Sequence, residues 1–183
     1  MAEQTAIDEL VQKMREERSR LLDVAERFDE RAAEAVPVNA QGEEQWSAKE
    51  QFSHLTEMEV AYRAWVARAL FEDNPNVVDT PFEPVVIPVE EAHRHSVAEH
   101  IAELRRQREK THALIEVMKP ADFDRTATHP AFGTLTVLQW LRSYYRHDRM
   151  HTDQLSGREP AYKPQFAGGR EPDQRTPRLR RPA

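Results

Sequence analysis

The fold is constrained most strongly by a helical spacing of apolar residues, which recurs in four long segments separated by prolines. Apolar side chains spaced three and four residues apart lie on one face of an α-helix. The first segment runs from about residue 5 to 35, and Pro37 is predicted to end it, because proline disfavours helical backbone in the residue before it. The apolar residues of this segment are Ile7, Leu10, Val11, Met14, Leu21, Ala25 and Phe28.

The second predicted helix begins after Trp46 and ends near Phe71. Ser47 followed three residues later by Glu50 is the pattern of a capping box, in which each side chain bonds the backbone N–H of the other residue. One apolar stripe follows it along the helix. Its members are Phe52, Leu55, Met58, Tyr62, Trp65, Val66 and Ala69.

Residues 73–92 carry four prolines and no helical period, which predicts a long crossover to the next helix. Ser96 and Glu99 form a second capping-box pattern, opening a third helix that is predicted to reach about Met118. Pro120 follows its end.

Residues 128–133 are predicted to form a turn-rich connection, and no strand pair is predicted anywhere in the chain. Thr134 or Thr136 is then predicted to cap the start of a fourth helix, and Gly157 is predicted to end it. The inward stripe of this helix is Val137, Trp140, Leu141, Tyr144, Asp148, His151 and Leu155. Four amphipathic helices around one core predict an all-α four-helix bundle with a long crossover between the second and third helices.

The composition limits the kinds of site and the location of the chain. It contains no cysteine, so disulfides, thiolate metal sites and a cysteine nucleophile are excluded, and a metal would need nitrogen or oxygen ligands. The N-terminal residues lack the basic start and apolar run of a signal peptide, and no stretch approaches the ~20 apolar residues of a membrane span. These features predict a cytoplasmic protein without membrane contact.

The charge distribution divides the chain into a predicted bundle at residues 1–157 and an Arg- and Pro-rich tail at residues 158–183. The tail has seven basic and three acidic groups, hence a charge of +4, and since the whole chain carries −6 the bundle carries −10. The tail is poor in apolar residues and is predicted to be disordered or loosely draped. An acidic bundle disfavours nucleic-acid binding, which requires clustered Lys and Arg.

Three of the eight histidines have a spacing that suits a metal site. His147 and His151 are four residues apart and share one face of the fourth helix, and His54 flanks the stripe of the second. Three nitrogens from two facing helices can bind a metal at about 2.0–2.1 Å and leave a fourth position for water or substrate. The spacing alone does not distinguish such ligands from hydrogen-bonded core histidines.

Several other polar and aromatic residues are secondary candidates. Asp148 could orient a ligating imidazole, but an ion pair with a neighbouring arginine is preferred. Glu50 is assigned to the capping box, Glu57 to the solvent-facing side, and Tyr144 and Trp65 to the core. The remaining histidines are interpreted as surface residues, apart from the last, which is assigned a structural role in a turn: His93, His95, His100, His112 and His129.

Two sequence runs resemble motifs of the DinB-like (YfiT-like) superfamily of metalloenzymes. The run WSAKEQFSHL at residues 46–55 resembles the start of that superfamily's second helix. The runs HPAFGTLT at 129–136 and HDRMH at 147–151 resemble its fourth-helix signature. The resemblance implies a four-helix bundle, often a homodimer, in which His54, His147 and His151 bind nickel, zinc, iron or manganese.

The resemblance also implies a range of functions. Some members are transferases or isomerases that use a low-molecular-weight thiol such as bacillithiol, mycothiol or glutathione. We therefore expect a divalent-metal-binding protein that acts as a metal-dependent transferase or hydrolase on a small molecule or a thiol adduct. The alternative is a non-catalytic stress-response or binding protein with a structural metal site. Imidazole ligands alone do not select among zinc, nickel, iron and copper.

Overall fold

The computed structural model describes residues 3–36 and 45–167, and this part of the chain is mainly helical. Its α-helices are α1 (Gln4–Ala25), α2 (Glu30–Glu34), α3 (Ala48–Phe71), α4 (Val97–Glu116) and α5 (Val137–Leu155). Helices α1, α3, α4 and α5 form a four-helix bundle in which α4 and α5 each pack against both α1 and α3. The predicted all-α bundle is confirmed. Within the described residues no helix is long and apolar enough to cross a membrane.

Three of the long helices begin at the side-chain caps that the sequence predicts. In each case the capping hydroxyl accepts a hydrogen bond from the backbone N–H three residues on, while that residue's side chain accepts one from the backbone N–H of the cap. Such caps satisfy backbone groups that a helix leaves without partners. The pairs are Ser47 with Glu50, Ser96 with Glu99, and Thr136 with Gln139.

The predicted helix over residues 5–35 is interrupted, so that prediction was wrong about its continuity. The side chain of Asp29 accepts a hydrogen bond from the backbone N–H of Ala32 at 2.7 Å and starts the short helix α2. An aspartate that caps a new helix competes with continuation of the old one. The Phe28 ring, in the interruption, packs edge-on against a phenylalanine of α3. Pro37, the predicted terminator, lies outside the described residues.

The crossover between α3 and α4 follows the surface of α3 closely. The backbone N–H of Val89 donates to Glu57 Oε1 at 2.9 Å, so Glu57 anchors the crossover instead of facing solvent as predicted. Arg68 donates to the carbonyl of Asn76 at 2.7 Å. The crossover also contains a 3-10 helix, Val89–Arg94, that the lack of a 3.6-residue period did not indicate.

A two-stranded antiparallel hairpin precedes α5, which corrects the prediction that the chain has no strand pair. The strands Thr126–His129 and Gly133–Thr136 pair directly, and the loop between them ends at Gly133 with a φ of 76°. A positive φ is accessible to glycine without steric cost. The backbone of Thr128 also pairs with the crossover around Asn76, so the hairpin ties the crossover to the start of α5.

The core consists of two apolar clusters separated by a layer of polar side chains. One cluster contains Trp65, Trp140 and Tyr144, so the assignment of Trp65 and Tyr144 to the core is confirmed. The other contains Leu21, Phe52 and Leu104. Each long helix carries at least one buried polar residue between its two apolar stretches. From the buried polar residues of these helices we define the polar layer as Arg18, His54, Glu59, Arg108, Asp148 and His151.

After α5 the chain turns at Gly157, with a φ of 68°, and crosses the outside of the bundle. We call residues 158–167 the C-terminal strap. The backbone N–H of Ala167 donates to the carbonyl of Ala131 at 2.7 Å, and the Phe166 ring packs against Phe132 with centroids 5.4 Å apart. Residues 168–183, the remainder of the predicted tail, lie outside the described residues.

Candidate metal centre

Three histidine side chains converge between α3 and α5. The Nε2 atom of His147 lies 3.3 Å from Nε2 of His54 and 3.0 Å from Nε2 of His151. One ring nitrogen from each lies within 4.8 Å of the others. His54 and His151 are fully buried, and His147 is half-buried. The structure therefore brings together the three histidines that the sequence singles out.

Local sequence explains why these rings meet. The capping box at Ser47 fixes where α3 begins, and this places His54 on the α3 face that packs against α5. On α5, the four-residue separation puts His147 and His151 one turn apart on the same face. Between α3 and α5, His147 therefore joins His54 and His151 of the polar layer in a cluster of three imidazoles.

Gln51 determines which nitrogen of His151 carries the proton. The Gln51 amide nitrogen donates to the carbonyl of Trp46 at 3.1 Å, and a carbonyl can only accept. The amide oxygen of Gln51 therefore faces Nδ1 of His151, 3.0 Å away, and Nδ1 must donate. A neutral imidazole has one protonated nitrogen, so Nε2 of His151 presents a lone pair to the other two histidines.

The spacing of the nitrogens suits a small cation. Ligand nitrogens at about 2.0–2.1 Å from a tetrahedral metal lie about 3.3 Å from one another. The two measured Nε2 separations, 3.3 and 3.0 Å, are close to that value. His147 is the one ring of the three that is half-buried, and it lies on the cavity wall, where a substrate could reach a metal held by the three histidines.

A buried cluster of four charged groups adjoins the histidines within the polar layer. Arg18 donates to Asp148 at 2.9 and 3.0 Å and to Glu59 at 2.6 Å. Arg108 donates to Glu59 at 2.8 Å and to Asp148 at 2.9 Å. Asp148 thus forms ion pairs, as preferred, but with arginines of α1 and α4 and not with a neighbour on its own helix.

The cluster contains two arginines and two carboxylates in direct contact. Burial alone would raise the pKa of Glu59, but the charges of Arg108 and Arg18, with hydrogen bonds from Arg108 and Thr111, outweigh burial and lower that pKa to about 2. Burial disfavours the charged form of Arg108, yet Asp148 and Glu59 raise its pKa above the ordinary value. Glu59 and Arg108 are therefore charged at neutral pH. The ion pairs of the cluster tie together the four helices of the bundle.

A cavity of about 580 Å³ opens beside the histidines. His54 and His147 form part of its inner wall, while the hairpin and the C-terminal strap form its outer wall. The other side chains on its wall from α3, the hairpin and α5 are Met58, Tyr62, Phe132, Leu135, Gln139, Ser143, Arg146 and Met150. The strap contributes Ala161, Tyr162, Lys163, Pro164, Gln165 and Phe166.

The remaining histidines lie away from the centre. His100 was predicted to be a surface residue, and this was wrong, because it is 1% exposed and its Nε2 bonds the carbonyl of Ala92 at 2.9 Å. His93 is exposed, whereas His95 and His112 are half-buried. His129 packs its ring on Trp65 and accepts a hydrogen bond from the backbone of the hairpin loop, which agrees with a structural role.

Similar proteins agree with this architecture. A family model of the DinB superfamily matches residues 13–155. The uncharacterized protein YuaE of Bacillus subtilis (strain 168) is 24% identical over 125 residues, which are 61% of this chain and 76% of YuaE. No function can be taken from YuaE, since none is stated for it.

Two solved structures share the fold. YfiT from Bacillus subtilis is described as a probable metal-dependent hydrolase with an unusual four-helix bundle topology; its TM-score is 0.68 at 15% identity, over 86% of this chain and 87% of YfiT. A mutant of the mycothiol-dependent maleylpyruvate isomerase has a TM-score of 0.55 at 14% identity, over 81% of this chain and 60% of the isomerase. The chain, a YfiT-like four-helix bundle, belongs to the DinB superfamily.

Proposed function

We propose that the chain binds one divalent metal ion through His54, His147 and His151 and that the bound metal serves an enzymatic reaction on a small molecule. The observation that carries the proposal is the convergence of three imidazole nitrogens beside a cavity, with the lone pair of His151 directed inward by Gln51. Zinc, nickel and iron are candidate ions because imidazole nitrogens suit them, and manganese is a candidate from the resemblance to the DinB-like superfamily. The description of YfiT as a probable metal-dependent hydrolase supports the same interpretation.

The role of each residue follows from its position. A metal held here would act as a Lewis acid, lowering the pKa of a bound water or thiol. His54 and His151 would hold the ion from the buried side, and the half-buried His147 would hold it at the cavity wall. The cavity would admit the substrate, which we expect to be a small molecule or a low-molecular-weight thiol adduct, and hydrolase or transferase chemistry are both compatible with such a site. A homodimer and a cytoplasmic location remain predictions from the sequence.

Metal content is the first test. Mass spectrometry of the full chain, purified without a histidine tag, should find about one ion per chain, or recover that ratio after loading with zinc or nickel. The His54→Ala variant should lose the ion, and the matched His112→Ala variant should keep it, because His112 lies outside the centre. Little metal that neither zinc nor nickel restores would overturn the proposal.

An open coordination position distinguishes a reactive centre from a structural one. Cobalt(II) loaded in place of the natural ion gives an absorption spectrum that changes when a ligand joins the metal. Adding glutathione should shift this spectrum if the fourth position is open towards the cavity. An unchanged spectrum would instead favour a closed structural site in a non-catalytic binding protein.

Replacing Gln51 by leucine is expected to weaken zinc binding about 10–100-fold. The leucine cannot accept the hydrogen bond from Nδ1 of His151, so the imidazole loses the partner that fixes its tautomer and orientation. Competition titration with a zinc chelator measures the affinity. Gln154→Leu, three residues past His151 on α5, is the control, and equal losses in the two variants would contradict the role given to Gln51.

A further inference from the structure

The charged side chains that line the cavity beside the histidines are basic, although the protein as a whole is acidic. The whole chain carries 32 acidic and 26 basic residues, yet no aspartate or glutamate is among the described residues that line the cavity. Two cationic side chains, Arg146 and Lys163, do line it. An acidic protein that keeps carboxylates out of one cavity and places cations there creates a local site for an anion.

Arg146 has the better position of the two cations. Its guanidinium lies 5.5 Å from the ring centroid of Tyr162 in the strap and 6.0 Å from that of Tyr145. Among the described residues, no carboxylate forms a salt bridge with it. Lys163, in contrast, pairs with the exposed Glu159 at 3.0 Å. A planar guanidinium braced by aromatic rings retains its donors for a carboxylate of a ligand.

Much of the remaining cavity wall is apolar. Met58, Phe132 and Leu135 line it from the bundle and the hairpin, and Phe166 closes it from the strap. The contact of Phe166 with Phe132 and the backbone bond from Ala167 to Ala131 hold the strap in place there. A cavity of about 580 Å³ with an apolar wall and a few polar groups has the size and character of a small-molecule site.

We propose that this cavity binds a small organic carboxylate with an apolar body. The carboxylate pairs with Arg146, and the apolar body lies against Phe132, Phe166 and Met58 on the cavity wall. Arg146 and His147 both line the cavity, so the ligand lies beside the histidine centre; this placement rests on the proposed function, whereas the anion site itself does not. The strap is accordingly part of the binding site, and Arg146 determines the charge of the molecule that enters.

A matched pair of probes tests the charge preference. 4-Phenylbutyrate and its uncharged amide have the same apolar body, and isothermal titration calorimetry measures the affinity of each. The full chain is used after metal removal with EDTA, so that a carboxylate cannot bind through the metal. The acid is expected to bind at least about tenfold more tightly than the amide, because a charge-assisted pair with arginine is available only to the acid.

Two variants separate the two halves of the site. Arg146→Met should abolish the preference for the acid, whereas Arg149→Met, which removes an exposed arginine outside the cavity, should preserve it. Phe166→Ala should weaken the acid and the amide alike, about two- to tenfold, by removing an aromatic contact.

Three results would overturn the carboxylate site. They are equal affinities for acid and amide, no binding of either probe, or the same loss in Arg149→Met as in Arg146→Met. Each leaves the metal proposal standing, because metal content is measured separately. Conversely, a chain that contains no metal but prefers the acid through Arg146 would support the carboxylate site and contradict the proposed metal-dependent function.

Discussion

Replacing Arg108 by methionine is expected to lower the free energy of unfolding by about 3–5 kcal/mol. The Arg108 side chain is 5% exposed, and it donates to Glu59, to Asp148 and to the carbonyl of Met14. Methionine has a similar length but no charge, so the cluster is left with one arginine and two buried carboxylates. The uncompensated negative charge, more than the lost contacts, produces the large effect.

Urea denaturation followed by circular dichroism measures this change, and Arg105→Met on the same helix is the control. Arg105 pairs with Glu26 at 2.7 Å, and the two side chains are 54% and 52% exposed. A surface ion pair of this kind contributes about 1 kcal/mol or less. Comparable losses in the two variants would show that the buried cluster does not have the stabilising role inferred from its burial.

The pH dependence of the free energy of unfolding gives a second test of the prediction for Arg108→Met. The pKa of Glu59 is lowered to about 2 in the folded chain, against an ordinary value of 4.5. Its ionised form therefore stabilises the fold fully above pH 4.5, and this contribution is lost as the pH falls towards 2. Without Arg108 the pKa of Glu59 rises, so the stability difference between the two proteins should narrow as the pH falls from about 5 to about 3.

The features that could be predicted from the sequence are those that depend on residues close to one another along the chain. The caps at Ser47 and Ser96 involve partners three residues away, and the pair His147 and His151 depends only on the helical repeat. Such relations are readable from one stretch of chain. His54 could be added because its helix begins at a predictable cap.

The buried charge cluster was missed because its partners are distant in the sequence. Arg18 and Asp148 are 130 residues apart, and Arg108 and Glu59 are 49 residues apart. A charged residue between apolar positions is usually solvent-exposed, so Arg18, Glu59 and Arg108 were not singled out. Asp148 was placed on the inward stripe with an arginine partner, but its actual partners were not predicted. A signal did exist: Arg18 follows Met14 by four residues and precedes Leu21 by three, which places it within the apolar stripe of α1.

The hairpin and the strap were not predicted, because they too depend on contacts between residues that are distant in the sequence. Strands of four residues are too short for an alternating pattern to be distinctive, and the hairpin owes its place to pairing with the crossover at Asn76. The strap is poor in apolar residues, but Phe166 finds a partner in Phe132 that no local rule indicates. Both elements form the outer wall of the cavity, so the substrate side of the site was less predictable than its histidines.

Loading the metal-free chain with zinc is expected to raise its melting temperature by about 8–16 °C. Free zinc at about a thousand times its dissociation constant stabilises the folded state by about 4 kcal/mol, and one kcal/mol corresponds to about 2–4 °C for a chain of this length. The increase depends on three ligands that exist together only in the folded bundle, where α3 and α5 bring them within 4.8 Å. Differential scanning calorimetry with and without EDTA measures it.

His147→Ala should remove most of this increase while changing the melting temperature of the metal-free protein little. His147 is half-buried at the cavity wall, so truncating it leaves no closed void in the core, whereas the metal loses one of three protein ligands. His112→Ala, outside the centre, should retain the full increase and control for zinc bound by histidines of the unfolded chain. If zinc stabilised His147→Ala as much as the unaltered protein, the ion would have to bind elsewhere, and the three histidines would have a packing role alone.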